Sequence, residues 1–177
     1  MEEKETNIWK NALNWGLILG IILIIYSIIM YFLGLNLEKW VGWVSYIFMI
    51  GGVIYSTINY RDKEMGGYIS YGQAVGFGTL VVLFAGIISA IYSYVQMTII
   101  DTDIISKMLL MVEEELISKG LPDEQIEMAI EMQKKIFKPW LLFLMAIPGA
   151  AFSGVIISLI TSIFLKKAAP ETSFNEE

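Results

Sequence analysis

Four long runs without charged residues alternate with short polar segments along the chain. The runs cover residues 11–37, 40–60, 65–100 and 139–165, and each reaches the roughly 20 helical residues that cross a bilayer core. The pattern therefore predicts an all-α integral membrane protein, a four-transmembrane-helix bundle in one domain covering residues 1–177. The predicted spans are about 14–35, 40–60, 72–100 and 139–165.

The third run, residues 65–100, is too long for a single span. Gly66 and Gly67 favour a turn at its start because glycine adopts conformations that other residues avoid. The third span is accordingly predicted to begin near Gly72. The pattern leaves open whether the preceding segment re-enters the membrane or lies along its surface.

Residues 101–138 break the apolar pattern with nine acidic residues and five lysines. Apolar residues recur there at helical spacing, which predicts an amphipathic helical hairpin inserted between the third and fourth spans. Asp103 is the predicted N-cap of a helix that ends at Ser118 and is capped by Gly120. Pro122 is predicted in the first turn of the second helix. This polar insertion is expected outside the bilayer.

Small residues recur about every four positions within the predicted spans. Such residues let membrane helices approach closely, and the third and fourth spans carry the longest stripes. The predicted helix-packing residues are Gly16, Gly20, Gly52, Gly72, Gly76, Gly86, Ala146, Ala150, Gly154 and Ser158.

Composition narrows the possible chemistry. The chain is 56% apolar and contains neither cysteine nor histidine, which excludes disulfides, thiolate sites, histidine zinc sites and histidine-based triads. Its net charge of −6 argues against a nucleic-acid partner. No catalytic, cofactor-binding or metal-binding residue is predicted, and the protein is expected to lie in a lipid bilayer.

Lysine and arginine set the predicted orientation. Six of these residues lie before the first span, after the second or after the fourth. The other six are Lys39 and the five lysines of the insertion, where acidic residues outnumber the lysines. The positive-inside rule then predicts cytoplasmic N- and C-termini and an extracytoplasmic insertion.

Several short motifs give the chain a family resemblance. They are Tyr71-Gly72-Gln73-Ala74, the following Gly76 and Gly78, Ala85-Gly86, Tyr92-Ser93-Tyr94 and Ile100-Asp101-Thr102-Asp103. Together they resemble the uncharacterised bacterial membrane family called domain of unknown function 4199, over nearly the whole chain. The resemblance implies a four-span bundle in the cytoplasmic membrane of Bacteroidetes-type bacteria and carries no established activity, cofactor or site residue.

Three functions remain open at the level of sequence. A structural or accessory protein, acting as a homo-oligomer or with a membrane-protein partner, fits the small-residue stripes and the acidic insertion. The alternative is an oligomeric channel or transporter for a small neutral solute, since the predicted spans hold hydroxyls but no charged residue. A membrane enzyme ranks last because the spans offer no base to activate a nucleophile.

Overall fold

The computed structural model describes residues 7–168, and that range is helical and contains no strand. Four of its helices are long and apolar enough to cross a membrane. The helices are α1 (Ile8–Phe32), α2 (Lys39–Glu64), α3 (Tyr71–Val95), α4 (Ile104–Ser118), α5 (Asp123–Ile136) and α6 (Pro139–Leu165), and a π-helical turn (Gln96–Ile100) extends α3. The four long apolar helices thus agree with the predicted spans and indicate a multi-pass membrane protein.

The first helix begins six residues before the predicted span. The side-chain oxygen of Asn7 accepts a hydrogen bond from the backbone N–H of Lys10 at 3.1 Å, which caps the helix start. The polar residues of this first turn belong to the helix although they lie outside the apolar run. The helix ends at Phe32, and Gly34 reverses the chain with φ of +70°.

The second helix continues through Arg61 to Glu64, four residues past the predicted end of the second span. Arg61 and Lys63 lie in its last turn, where positive charge interacts favourably with the helix dipole. The turn itself comes later, at Gly66 and Gly67, with φ of +64° and +88°.

The third helix is the central one and contacts α1, α2 and α6. Helix α1 runs parallel to it, whereas α2 and α6 run antiparallel. The starts of α1 and α3 and the ends of α2 and α6 therefore share one end of the molecule, which we call the terminal end. We call the opposite end, which holds α4 and α5, the insertion end.

The largest group of buried side chains surrounds α3 near the terminal end. Phe77 of α3 is fully buried and stacks on Tyr60 of α2, with ring centroids 4.1 Å apart and an interplanar angle of 6°. Ala12 and Leu19 of α1 complete this core. The core thus joins α1 and α2 to the central helix.

Helices α4 and α5 contact each other across a short connection. Gly120 has φ of +72° and its N–H donates to the carbonyl oxygen of Ile117, as expected at a helix C-terminus. Pro122 is the N-cap of α5, one position before the predicted first turn. Asp103 occupies the N-cap of α4, but its side chain makes no capping hydrogen bond.

Candidate functional site

Glycines of α1 and α2 lie where helices approach closely. A Cβ atom at Gly16 would lie 2.5 Å from the Cβ of Phe84 in α3, and one at Gly20 would lie 3.2 Å from the Cβ of Ile88. A Cβ at Gly52 of α2 would lie 2.6 Å from a methyl carbon of Leu19. Larger side chains at Gly16 and Gly20, which also face backbone atoms of α3, would push the helices apart, whereas the Leu19 side chain would have to move away from Gly52.

The contact between α3 and α6 depends on small residues from both helices. A Cβ at Gly86 would overlap that of Ala150, and a Cβ at Gly154 would lie 3.0 Å from that of Val82. Ser158 packs against Gly78, whose Cβ position lies 2.5 Å from the serine Oγ. Gly78 was not among the predicted packing residues, although a small residue, Ala74, lies four positions before it.

The packing prediction for Gly72 and Gly76 is wrong within this chain. A Cβ at either position would meet nothing within 4 Å, and both glycines are exposed. They lie on a face of α3 that points away from the other helices. Ala146, the remaining predicted packing residue, borders a cavity between helices.

The residues of the family-like motif fix the start of α3. Ser70 and Gln73 form a capping box: the Ser70 hydroxyl accepts from the N–H of Gln73 at 3.3 Å, and the Gln73 side-chain oxygen accepts from the N–H of Ser70 at 3.0 Å. The Tyr71 hydroxyl donates to the carbonyl oxygen of Leu159 in α6 at 3.1 Å. Ala74 is fully buried, whereas Gly72 has no close neighbour.

The segment before α3 is bound to the end of α6. Ile69 and Lys167 exchange two backbone hydrogen bonds, each 3.0 Å long. A guanidinium nitrogen of Arg61 donates to the carbonyl oxygen of Leu165 at 3.2 Å. These bonds hold the turn after α2, the start of α3 and the end of α6 together at the terminal end.

A cleft separates α2 and α6 in the half of the molecule near the insertion end. The two helices meet near the terminal end, where Val53, Val82 and Ile157 form a buried cluster. Towards the insertion end they diverge over α3 and leave a cavity of about 350 Å³. The cleft is lined by Leu23, Gly42, Ser45, Tyr46, Met49, Val82, Ala85, Gly86, Ser89, Ala90, Ser93, Ala146, Gly149, Ala150 and Ser153.

Buried hydroxyls accompany these helix contacts. Thr57, Thr79, Ser89 and Ser158 have no hydrogen-bond partner for their hydroxyls among residues 7–168. A serine or threonine on a helix can turn its hydroxyl towards a carbonyl one turn earlier, as Thr161 does towards Ile157 at 2.9 Å. We therefore assign these hydroxyls to helix packing.

Ion pairs attach α4 to the ends of the long helices. Lys107 donates to both carboxylate oxygens of Asp101, at 3.0 and 2.9 Å. The Glu115 carboxylate pairs with Lys119 of its own helix at 2.8 Å and with Lys39 at the start of α2 at 2.9 Å. Hydrogen bonds from Lys119, which has the larger effect, and from Lys39 lower the pKa of Glu115 to about 2.

The outer surface of α4 and α5 combines apolar and acidic side chains. Leu110, Ile117, Met128 and Met132 are all exposed, although neither helix belongs to the four long apolar ones. A hollow of about 430 Å³ lies between the two helices. It is lined by Glu113, Ile117, Asp123, Ile126, Glu127, Ile130, Glu131 and Lys134. Leu110 and Ile117 lie seven positions apart on the same face of α4, and we call the hollow with these two exposed side chains the α4–α5 surface.

Comparison with known proteins identifies the family of this chain. The family model described as "Protein of unknown function (DUF4199)" matches residues 14–167, whereas no curated protein and no solved structure matches. The matched range includes nearly all of the four long helices and both helices of the insertion. The chain therefore belongs to the DUF4199 family.

Proposed function

We propose that this protein is a structural or accessory component of the bacterial cytoplasmic membrane that docks a partner protein through the α4–α5 surface. The proposal is based on the exposure of large apolar side chains on α4 and α5, two helices that are not among the four long apolar ones. Leu110 is 57% exposed and Ile117 is 58% exposed. Contiguous apolar surface of this kind, bordered by polar residues, is typical of a protein-interaction site.

Charge indicates what kind of partner would bind. Four of the residues that line the hollow are acidic and one is a lysine, and three isoleucines form its apolar part. A partner helix with lysine or arginine beside apolar side chains would complement this lining. Lys39 and Lys107, which pair with Glu115 and Asp101, hold α4 in place beneath the surface.

We further propose that both termini are cytoplasmic and that α4 and α5 are extracytoplasmic. Arg61 and Lys63 lie at the terminal end in the last turn of α2, and Lys166 and Lys167 follow α6 there. Positive residues next to span ends favour the cytoplasmic side. The cleft between α2 and α6 closes at Val53 and Ile157, which is why docking ranks ahead of solute passage through the chain.

Site-specific photocrosslinking in intact cells tests the docking proposal. A photoreactive amino acid replaces Ile117, which lines the hollow, and the matched control carries it at Phe152, which is 70% exposed on α6. We expect one recurring protein product from position 117 that is absent at position 152. Charge reversal with Glu127→Lys and Glu131→Lys should abolish that product.

Two results would overturn the docking proposal. One is the absence of any product at position 117 in a folded, membrane-inserted protein. The other is the same set of products at positions 117 and 152, since random collision in the membrane would label both. A second copy of this chain as the product would identify the partner as the protein itself.

A further inference from the structure

We infer that the cleft between α2 and α6 is a binding site for one acyl chain of a phospholipid from the leaflet at the insertion end. The inference depends on the placement of the long helices in the membrane and is independent of any docking partner. It is based on the depth of the cleft, on its lining and on the free space beside two glycines.

The depth of the cleft matches one leaflet. Its lining residues on α3 run from Val82 to Ser93, a rise of roughly 16 Å at 1.5 Å per residue. Half of a bilayer hydrocarbon core is about 15 Å. Val53, Val82 and Ile157 close the cleft near the middle of the long helices, where a chain from one leaflet would end.

The lining suits a hydrocarbon chain. It contains no charged residue, and Leu23, Tyr46 and Met49 supply apolar walls. Four serines also line the cleft. The hydroxyl of Ser45 is bonded to the carbonyl oxygen of Val41 at 3.2 Å, and a helical serine such as Ser89 can turn its hydroxyl towards a carbonyl one turn earlier. Since the bilayer core contains lipid chains and almost no water, a chain is the molecule available to fill an apolar cleft there.

The cleft has room for an acyl chain. Its volume is about 350 Å³. An acyl chain has no side groups and is much narrower than a helix. Gly42 and Gly149 line the cleft, and a Cβ at either would meet nothing within 4 Å, so both positions leave room for an occupant.

Photolabelling of the reconstituted full chain tests the site. The probe is phosphatidylethanolamine with a diazirine near the end of one acyl chain, in vesicles, and labelled peptides are located by mass spectrometry. We expect stronger labelling at Met49 than at Phe152, which is 70% exposed on the lipid-facing side of α6. Gly42→Leu and Gly149→Leu should each lower labelling at Met49 severalfold by filling the cleft.

Gly51→Leu provides the matched control, because Gly51 is on the same helix as Gly42, has no neighbour within 4 Å and does not line the cleft. Labelling at Met49 should be unchanged in this variant. Helix content and a monodisperse elution profile establish that each variant is folded. Because Gly42→Leu and Gly149→Leu fill the cleft independently, the test remains possible if one of them does not fold. Labelling at Met49 no stronger than at Phe152, or equal labelling in all three variants, would overturn the inference.

Discussion

Gly86 of α3 and Ala150 of α6 lie so close together that a methyl group on the glycine would overlap the alanine side chain. The backbones of the two helices therefore determine their separation at this point. Lipid is as apolar as a helix surface, so close van der Waals packing must supply much of the attraction between membrane helices. The Gly86 contact is consequently a sensitive position for the fold.

Gly86→Leu should lower the free energy of unfolding by about 1–3 kcal/mol or more, the usual range for overpacking. Gly76→Leu is the matched control because Gly76 is on the same helix and has open space around its Cβ position. Unfolding of both variants by a denaturing detergent in mixed micelles measures the difference. Equal losses of stability would contradict the observed orientation of α3.

Phe77→Ala should be among the most disruptive single truncations in the core. The ring is fully buried and stacks on Tyr60, and loss of a buried phenylalanine typically costs about 3–5 kcal/mol. Phe152→Ala removes the same atoms from a ring that is 70% exposed and should change stability by no more than about 0.5 kcal/mol. The same unfolding assay compares them, and similar effects would argue against the Tyr60–Phe77 core.

The sequence predicted which segments form the four long apolar helices but not which face of α3 is buried. Gly72 and Gly76 are spaced like Gly78, Val82 and Gly86, so the four-residue spacing fits either face of the helix. A soluble helix reveals its buried face by contrast with polar residues on the other side. A helix surrounded by lipid is apolar on both sides, and that contrast is missing.

Helix ends were predictable only in part, for a similar reason. The apolar run placed the start of α1 too late, because Asn7 caps a first turn that contains polar residues. The capping box at Ser70 and Gln73 has a recognisable sequence signal, a serine followed three positions later by glutamine. The cleft had no such signal, since it depends on the angle between α2 and α6.

The contact between α4 and α2 should weaken in acid. Hydrogen bonds from Lys119 of its own helix and then from Lys39 of α2 lower the folded-state pKa of Glu115 to about 2, below its ordinary value of 4.5, so its ionised form stabilises both α4 and the contact above that ordinary value. This stabilisation is lost as the pH falls from 4.5 towards 2. Spin labels on Trp43→Cys and Ser118→Cys, in a chain without other cysteines, should report a broader distance distribution at about pH 2 than at about pH 6.

Glu115→Gln is the control for that titration. The variant should show the broader distribution already at neutral pH, with little further change in acid. High salt should also loosen the wild-type contact, because exposed ion pairs are screened. A distance that changes with pH equally in both proteins would show that another group is responsible.

Membrane orientation is testable with reporter fusions. We expect a reporter that is active only outside the cytoplasm to be active after Gly120, between α4 and α5, and inactive after Lys167, which follows α6. The reason is the gathering of arginine and lysine at the terminal end. Activity after Lys167 alone would reverse the orientation while preserving four crossings, and activity at both points would contradict an even number of crossings.

Removing Lys107 should destabilise the protein more than removing the whole ion pair. The Asp101 side chain is only 7% exposed, whereas Lys107 is 51% exposed, so Lys107→Met leaves a buried carboxylate without its cation. The double variant Asp101→Asn with Lys107→Met removes that charge and should recover part of the stability. Lys119→Met, which removes a 58% exposed partner of Glu115, should have the smallest effect. Unfolding at neutral pH ranks the variants, and equal effects of Lys107→Met and Lys119→Met would show that burial of Asp101 does not matter.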